Sequence, residues 1–244
     1  MLTIGSGIAS PDPSAVETFP SSTKSLALDG AGDYATFSST AFEIGSAAVQ
    51  LSIVFWAKRT DNNDIAVVLA SGAGLSTKRL NFGADGTTLE MEGDTNGQSA
   101  TGNVTADTDW HHYAVTVKGK DGGAQAVIEM YEDGQTINAT NTNLGASSAD
   151  FTVSQIGTNH DGTGTTNEFK GLLYDLAIYN RVLTPLHIIH LASDSTIPLQ
   201  SNQGNYTAST YLIHYWKFEG LIDVKGGLDI TLVGDAAASS TLPA

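Results

Sequence analysis

An all-β sandwich of two antiparallel sheets with one short helix is the fold class this sequence predicts. Three observations carry it. Runs alternating between apolar and polar residues recur at intervals of roughly 10–20 residues. Gly, Asp and Asn turns separate those runs. No segment of helical period is longer than Thr184–Ala192. A chain of 244 residues has room for two small domains, but a sandwich commonly uses this length for one. No internal repeat suggests a solenoid or propeller.

Residues 1–24 hold Pro11, Pro13 and Pro20 among Ser and Thr, and read as an N-terminal arm or linker. Such a segment either stays a leader or docks on a neighbouring subunit. Residues 25–244 are the domain. Ser25–Gly30 and Tyr34–Phe37 are extended pieces around the turn Asp29-Gly-Ala-Gly-Asp33. Leu51, Ile53, Phe55 and Ala57 alternate with Gln50, Ser52, Val54 and Trp56, as in a strand buried on at least one face. Ile65–Leu69 is a continuous apolar run, hence a central strand, and Arg79–Phe82 is a short neighbour. Thr87, Leu89 and Met91 alternate with Thr88, Glu90 and Glu92. His111, Tyr113, Val115 and Val117 alternate with His112, Ala114, Thr116 and Lys118. Ala126, Ile128 and Met130 lead to the Asp133-Gly134 turn.

The stretch Phe169–Leu183 is another strand, with Leu172, Tyr174, Leu176 and Ile178 expected on one face and Leu173, Asp175, Ala177 and Tyr179 on the other. Asn180-Arg181 breaks the alternation. Thr184 then caps the helix, and Pro185 takes the first helical position, where a missing N–H costs nothing. Residues 195–244 read as a loop and hairpin extension: Tyr211–Phe218 and Leu228–Val233 are strands, and Ala236–Ala244 is expected to fray.

Composition excludes several function classes. With 26 acids against 11 bases the formal charge is −15, which repels both nucleic-acid backbone and anionic membrane. No window approaches the about 20 apolar residues of a membrane span, so membrane insertion is not expected. There are no cysteines, hence no disulfide framework and no thiolate metal site. Met1–Pro11 has no basic region followed by an apolar one. With Met1 as the natural start, synthesis and folding in a cytoplasm follow; a mature chain given an added Met is the competing explanation.

Five local patterns occur in one order. They are Ser25-Leu-Ala-Leu-Asp-Gly-Ala-Gly-Asp-Tyr34, Leu51-Ser-Ile-Val-Phe-Trp-Ala57, Trp110-His-His-Tyr-Ala-Val-Thr-Val117, Met130-Tyr-Glu-Asp-Gly134 and the 169–183 segment. Together they resemble the laminin G-like domains of the concanavalin A-like lectin/glucanase superfamily, over roughly residues 25–192, and the resemblance implies that the all-β sandwich is a concanavalin A-like jelly roll. A pattern like Tyr211–Gly220 with Leu228–Gly234 often precedes the first core strand in that family. Here it follows the helix, as a permuted domain, a truncated second module or, the preferred reading, an appended hairpin. The order is similar to that of laminin G-like proteins encoded by tailed phages.

The resemblance also frames the chemistry. Related β-glucanases carry E-x-D-x-x-E on one strand, whereas Glu90-Met-Glu92-Gly-Asp94 has its third acid one residue early. Because Leu89 and Met91 should bury, these acids are expected to face water, and no catalytic residue is assigned. The histidines form no metal motif: His111 and His112 are adjacent, and His187 and His190 lack H-E-x-x-H. No nucleophile elbow, P-loop or dinucleotide fingerprint is present. Calcium is the expected ligand, since Asp, Asn and carbonyl oxygens on loops suit it. The resemblance implies metal ligands Asn159 and Asp161 in the loop 157–168; a plain Gly/Thr/Asn loop is the alternative. Trp56, Trp110 and Trp216 are expected to pack rather than to bind sugar. Any binding should then use the rim loops 60–64, 94–109 and 157–168.

Three functions follow. The first is a non-enzymatic structural protein on a phage virion, in a capsid or tail, contacting other virion proteins or its own copies, with weak adhesion to cell-surface glycans as an added role. The second is a secreted carbohydrate-binding module of a larger enzyme or adhesin. The third is a glycosidase acting through Glu90 and Glu92.

Overall fold

The computed structural model describes residues 21–42, 49–61, 64–71, 78–92, 99–119, 126–137, 139–142, 151–159 and 167–244. Among them sixteen strands form two antiparallel sheets. The first sheet runs β10 (Gln135–Ile137), β9 (Val127–Glu132), β8 (Trp110–Lys118), β3 (Gln50–Arg59), β13 (Lys170–Tyr179), β1 (Ser25–Asp29) and β16 (Ala237–Ser239). Here β14 (Leu212–Trp216) takes over from β1 along the second half of β13. The second sheet runs β11 (Ala139–Thr142), β7 (Ser99–Asn103), β6 (Thr88–Glu92), β5 (Arg79–Phe82), β4 (Ala66–Ala70), β12 (Phe151–Ile156), β2 (Tyr34–Phe42) and β15 (Thr231–Val233). The expected jelly-roll sandwich with one short helix, α1 (Pro185–Ser193), is what forms.

The alternation read in the sequence places the core. Leu51, Ile53, Phe55 and Ala57 of β3 and Tyr113, Val115 and Val117 of β8 meet Leu80, Phe82, Leu89 and Met91 of the facing sheet. Phe82 holds the centre, edge-on to Tyr113 at 5.0 Å. The Arg59 guanidinium lies 4.4 Å over the Phe82 ring and donates to the carbonyls of Gly86 and Thr105 at 2.8 Å each, so this buried cation is fully partnered. The continuous apolar run becomes β4, buried along its whole length between β5 and β12, as a central strand requires.

Strand β13 departs from simple alternation. Its pairing with β3 slips between Tyr174 and Ala177, and Asp175 adopts φ of +51°, a β-bulge that adds one residue to this strand. Leu173, Leu176 and Ile178 therefore face the inter-sheet core, while Ala177 and Tyr179 face outward. The expected grouping of Leu172, Tyr174, Leu176 and Ile178 on one face thus fails at Asp175, because period-2 patterning cannot see an inserted residue. Outward, a second apolar layer forms: Val54, Ala114, Ala177 and Tyr179 pack under Leu183, Ile188, Leu191, Ile197, Leu199 and Tyr206.

Helix α1 begins as its sequence demands. Thr184 Oγ1 accepts from His187 N–H, Thr184 N–H donates to His187 Nδ1, and Pro185 sits in the first turn. Downstream, the expected hairpin does not form. Leu212–Trp216 pairs with β13 in the first sheet and Thr231–Val233 with β2 in the second. Asp223 organises the connection, accepting from the N–H groups of Tyr215, Lys225, Gly226 and Leu228 and bonding His214 Nδ1 at 2.7 Å. Nor does Ala236–Ala244 simply fray: Ala237–Ser239 pairs with β1, and Ala236 and Pro243 are buried.

Gly171 shows how tightly β13 meets β3. Its φ is +146°, and a Cβ there would lie 2.1 Å from the Lys58 carbonyl oxygen. Gly171→Ala is expected to destabilise the domain by about 2–4 kcal/mol, from backbone strain at an interior ladder. Chemical denaturation at constant m-value checks this; a change within about 0.5 kcal/mol would show that the ladder yields freely.

Candidate functional site

The turn after β1 builds an acidic corner. Glycines at positive φ, Gly30 (+76°) and Gly32 (+97°), let the chain fold back so that Asp33 Oδ2 accepts from Asp29 N–H at 3.1 Å. Asp29 Oδ1 accepts from Ala31 N–H at 2.7 Å. Pairing of Val233 with Tyr34 then carries Gly234-Asp235 against this turn, and Asp235 N–H donates to Asp33 Oδ1 at 2.7 Å. One carboxylate oxygen from each of Asp29, Asp33 and Asp235 lies within 4.8 Å of the others, a spacing at which the three could hold a divalent cation. Gly234 is required for the approach, because a Cβ there would lie 2.4 Å from Asp33 Oδ1.

The electrostatics of the corner follow from crowding. Burial pushes the Asp33 carboxyl up, but its hydrogen bonds to the Asp235 carboxyl and to the backbone of Asp29 and Asp235 outweigh this and hold it below the ordinary range. Asp235 moves the other way, raised by sharing a hydrogen bond with Asp33 and by that group's charge. A cation between the two carboxylates would relieve their mutual repulsion.

Register extends this corner into a pocket. Asp29 pairs with Lys170, so the segment entering β13 runs beside the turn. Glu168 accepts from Gly32 N–H with both carboxylate oxygens at 2.9 Å. It also lines a rim pocket of about 120 Å³ together with Gly30, Asp61, Asp64, Ala66 and Lys170. Lys170 Nζ stands 3.8 Å from Asp61 Oδ2 and supplies the positive charge of this lining. The hydrogen bond from Phe169 N–H to the Gly157 carbonyl, 2.7 Å, closes the base of the 157–168 loop at the same rim.

The residues expected from the sequence fall unevenly around this geometry. Asn159 is half-buried at the loop base, two residues beyond Gly157. Asp161 lies outside the described residues. The triad of Asp29, Asp33 and Asp235 was missed by sequence reasoning. Asp29 and Asp33 were visible as a turn, but Asp235 joins them across about 200 residues of chain through strand pairing alone. Of the acids weighed for hydrolysis, Glu90 and Glu92 do point away from the core, as expected. They are not free in water: Glu90 accepts from Thr88 Oγ1 at 3.0 Å and Asn81 Nδ2 at 3.3 Å, and Glu92 from Arg79 Nη2 at 2.9 Å. Asp94 lies outside the described residues. The described aromatics avoid the rim pocket: Trp216 is buried with Nε1–H donating to the Leu228 carbonyl, and half-buried Trp110 packs edge-on to Tyr174 at 6.5 Å.

His111 lies at another corner, bonded through Nδ1 to Asp133 at 2.6 Å and through Nε2 to Asp107 at 3.0 Å. Burial lowers its proton affinity, but these two carboxylates outweigh burial and raise it above the ordinary imidazole value.

Comparison with known proteins places this geometry. The family described as the concanavalin A-like lectin/glucanases superfamily matches residues 29–189. No curated protein matches the sequence. Among solved structures, a Bacteroides ovatus protein described as a candidate carbohydrate-binding protein superposes with a TM-score of 0.59 at 15% identity, over 90% of this chain and 60% of that one. The chain thus spans about three fifths of that relative's length. A heptameric SAP-like pentraxin from Limulus polyphemus superposes with a TM-score of 0.53 at 15% identity, over 86% and 94% of the two chains. Neither is described as an enzyme. No helix among the described residues is long and apolar enough to cross a membrane.

The His111 pairing makes a pH prediction. A raised folded-state value contributes stability that is full below the unfolded value of 6.5 and is lost as pH rises through the folded value. Denaturation from pH 6 to pH 9 should show that loss in the parent chain, and His111→Gln should remove it. An unchanged pH profile in the variant would exclude the pairing as its source.

Proposed function

The chain belongs to the concanavalin A-like lectin/glucanase superfamily, and from that membership and the rim geometry we propose a non-catalytic, lectin-like carbohydrate-binding module. The observation that carries the reading is the continuity of the rim pocket with the acidic corner through Glu168. A sugar presents hydroxyls that need acceptors and donors together. Asp61, Asp64 and Glu168 accept, Lys170 donates, and a rigid sandwich fixes all four. At about 120 Å³ the pocket takes part of one pyranose, and no described aromatic lines it. Affinity for a single sugar is therefore weak, and useful binding comes from several copies or from a larger protein.

Calcium is the cation that suits Asp29, Asp33 and Asp235, because all three offer hard oxygen ligands. Asn159 and Asp161 are the further donors from the neighbouring loop. The ion takes its ligands as carboxylates, so occupancy strengthens as pH rises through their titration. Residues 25–244 act as one unit, with 1–24 as an arm and 195–244 as the closing extension.

The fold relatives favour a module of a larger secreted enzyme or adhesin over a protein of a phage virion, since the two reported are a candidate carbohydrate-binding protein and a pentraxin. An extracellular place of action goes with that choice. Purified virions carrying this protein would restore the virion reading.

Glycan-array binding with calcium and with chelator tests the proposal. The expected outcome is retention of a defined set of neutral glycans, weakened by chelator. Asp33→Asn with Asp235→Asn should abolish the calcium effect, and Lys170→Ala should weaken binding at least about tenfold, about 1.4 kcal/mol. Absence of any retained glycan across a broad array, with or without calcium, would rule the function out.

A further inference from the structure

Beneath the outer apolar layer lies a small cavity remote from the acidic corner. It is lined by Val54, Trp56, His112, Asp175, Asp194 and Ser195, with leucine and isoleucine side chains of the 191–199 segment closing it. Its volume is about 10 Å³, the space one water requires. Three ionisable groups line it, His112, Asp175 and Asp194, and the first two have only 2% and 4% of their surface exposed. His112 Nδ1 is buried without a hydrogen-bond partner among the protein atoms. The hydrogen bonds from Ser22 Oγ and Tyr215 OH to the Asp175 carboxyl both end on Oδ1. A buried imidazole nitrogen without a protein partner costs roughly 1–3 kcal/mol unless something satisfies it.

We propose that this cavity is a hydration site in which one water bridges His112 Nδ1 to Asp175 Oδ2, joining the two side chains into a couple that shares a single proton. When the carboxyl is protonated, it donates to the water and the water donates to Nδ1. When the carboxyl is ionised, the direction reverses: the ring stays neutral and carries its one N–H on Nδ1 instead of Nε2, and Nδ1–H donates to the water, which donates to Oδ2. One proton leaves to solvent on ionisation, and the ring keeps a single N–H throughout.

The surroundings support this arrangement. Burial pushes Asp175 up to about 7, although hydrogen bonds from Ser22 and Tyr215 and the charge of Lys217 pull it down; Glu219 adds to the rise. Burial pushes His112 down to about 4, against the charge of Asp133. The other titratable groups facing the couple are Tyr174 and Tyr179 of β13, and Asp194 after α1. By itself Asp175 would make the fold lose stability as pH rises from 3.8 towards 7. His112 by itself would make it gain stability as pH rises from about 4 to 6.5. The slopes oppose each other, so the couple keeps one proton and adds almost no pH dependence across that window.

Nitrogen-15 NMR of the His112 ring in the whole protein tests the couple. In the parent chain the Nδ1 resonance should move between pH 5 and pH 8, following the ionisation of Asp175. In Asp175→Asn, which suits the left-handed backbone at this position, that movement should vanish. Relative to the parent, the same variant should gain stability between pH 4.5 and 6, approaching tenfold per pH unit in the folding constant, and His112→Gln should lose it. If Asp175→Asn does not fold, the Asp175 carboxyl carbon read in His112→Gln should show a midpoint displaced from the parent's. Identical ring shifts in parent and Asn variant, or an undisplaced carboxyl midpoint in the Gln variant, would overturn the couple.

Discussion

The bulge at Asp175 shifts the pleat of β13 by one residue, and both layers of packing depend on that shift. Before it, Leu173 points into the inter-sheet core; after it, Leu176 and Ile178 do. Without the extra residue, the strand would present Ala177 and Tyr179 to the core and leave the outer layer without its floor. A left-handed aspartate is costly by itself. Here the backbone is held because Asp175 Oδ1 accepts from Ser22 Oγ and, at 2.7 Å, from Tyr215 OH. Tyr174 OH donates in addition to the carbonyls of Ser22 and Ser195. The distortion thus ties together the start of the domain, the segment after α1, and β14.

Much of this architecture was legible in the sequence for a definite reason. Strand β6 buries one face, and β3 and β8 turn their larger apolar side chains to the inter-sheet core, so the alternation of Leu51–Ala57, Leu89–Met91 and Tyr113–Val117 reports their orientation directly. The Thr184-Pro185 start of α1 is equally local. What stayed hidden is non-local. Nothing in Thr231–Val233 says that it crosses to the second sheet, and three small residues, Ala237–Ser239, carry no strand signal until β1 offers an unpaired edge. The acidic corner fails to show for the same reason, since Asp235 reaches Asp33 only through the pairing of β15 with β2. Asp175 read only as a member of the strand face shared with Leu173, Ala177 and Tyr179, because burial of a carboxylate is a property of what covers it.

The candidate site and the scaffold therefore have different physical origins. Apolar burial fixes the sandwich, and the same sandwich can carry many surfaces. The acidic corner is made by three glycines at positive φ, Gly30, Gly32 and Gly234, and by backbone N–H groups, which hold carboxylates near one another despite their repulsion. With a net charge of −15, few basic groups are available to relieve that repulsion, and Lys170 is the cation that lines the adjoining pocket.

The pairing of the first strand with the last has a mechanical consequence. Ser25 lies opposite Ser239, and Ser25 Oγ reaches the Thr241 carbonyl at 2.7 Å, so both ends of the domain leave from one end of the same ladder. A pull that separates those ends loads the β1–β16 hydrogen bonds one after another, as a zipper opens, instead of loading them in parallel. Held between two anchors, the domain would peel at low force from this edge. Hung from one end, it would carry load on its free surface with the ladder undisturbed.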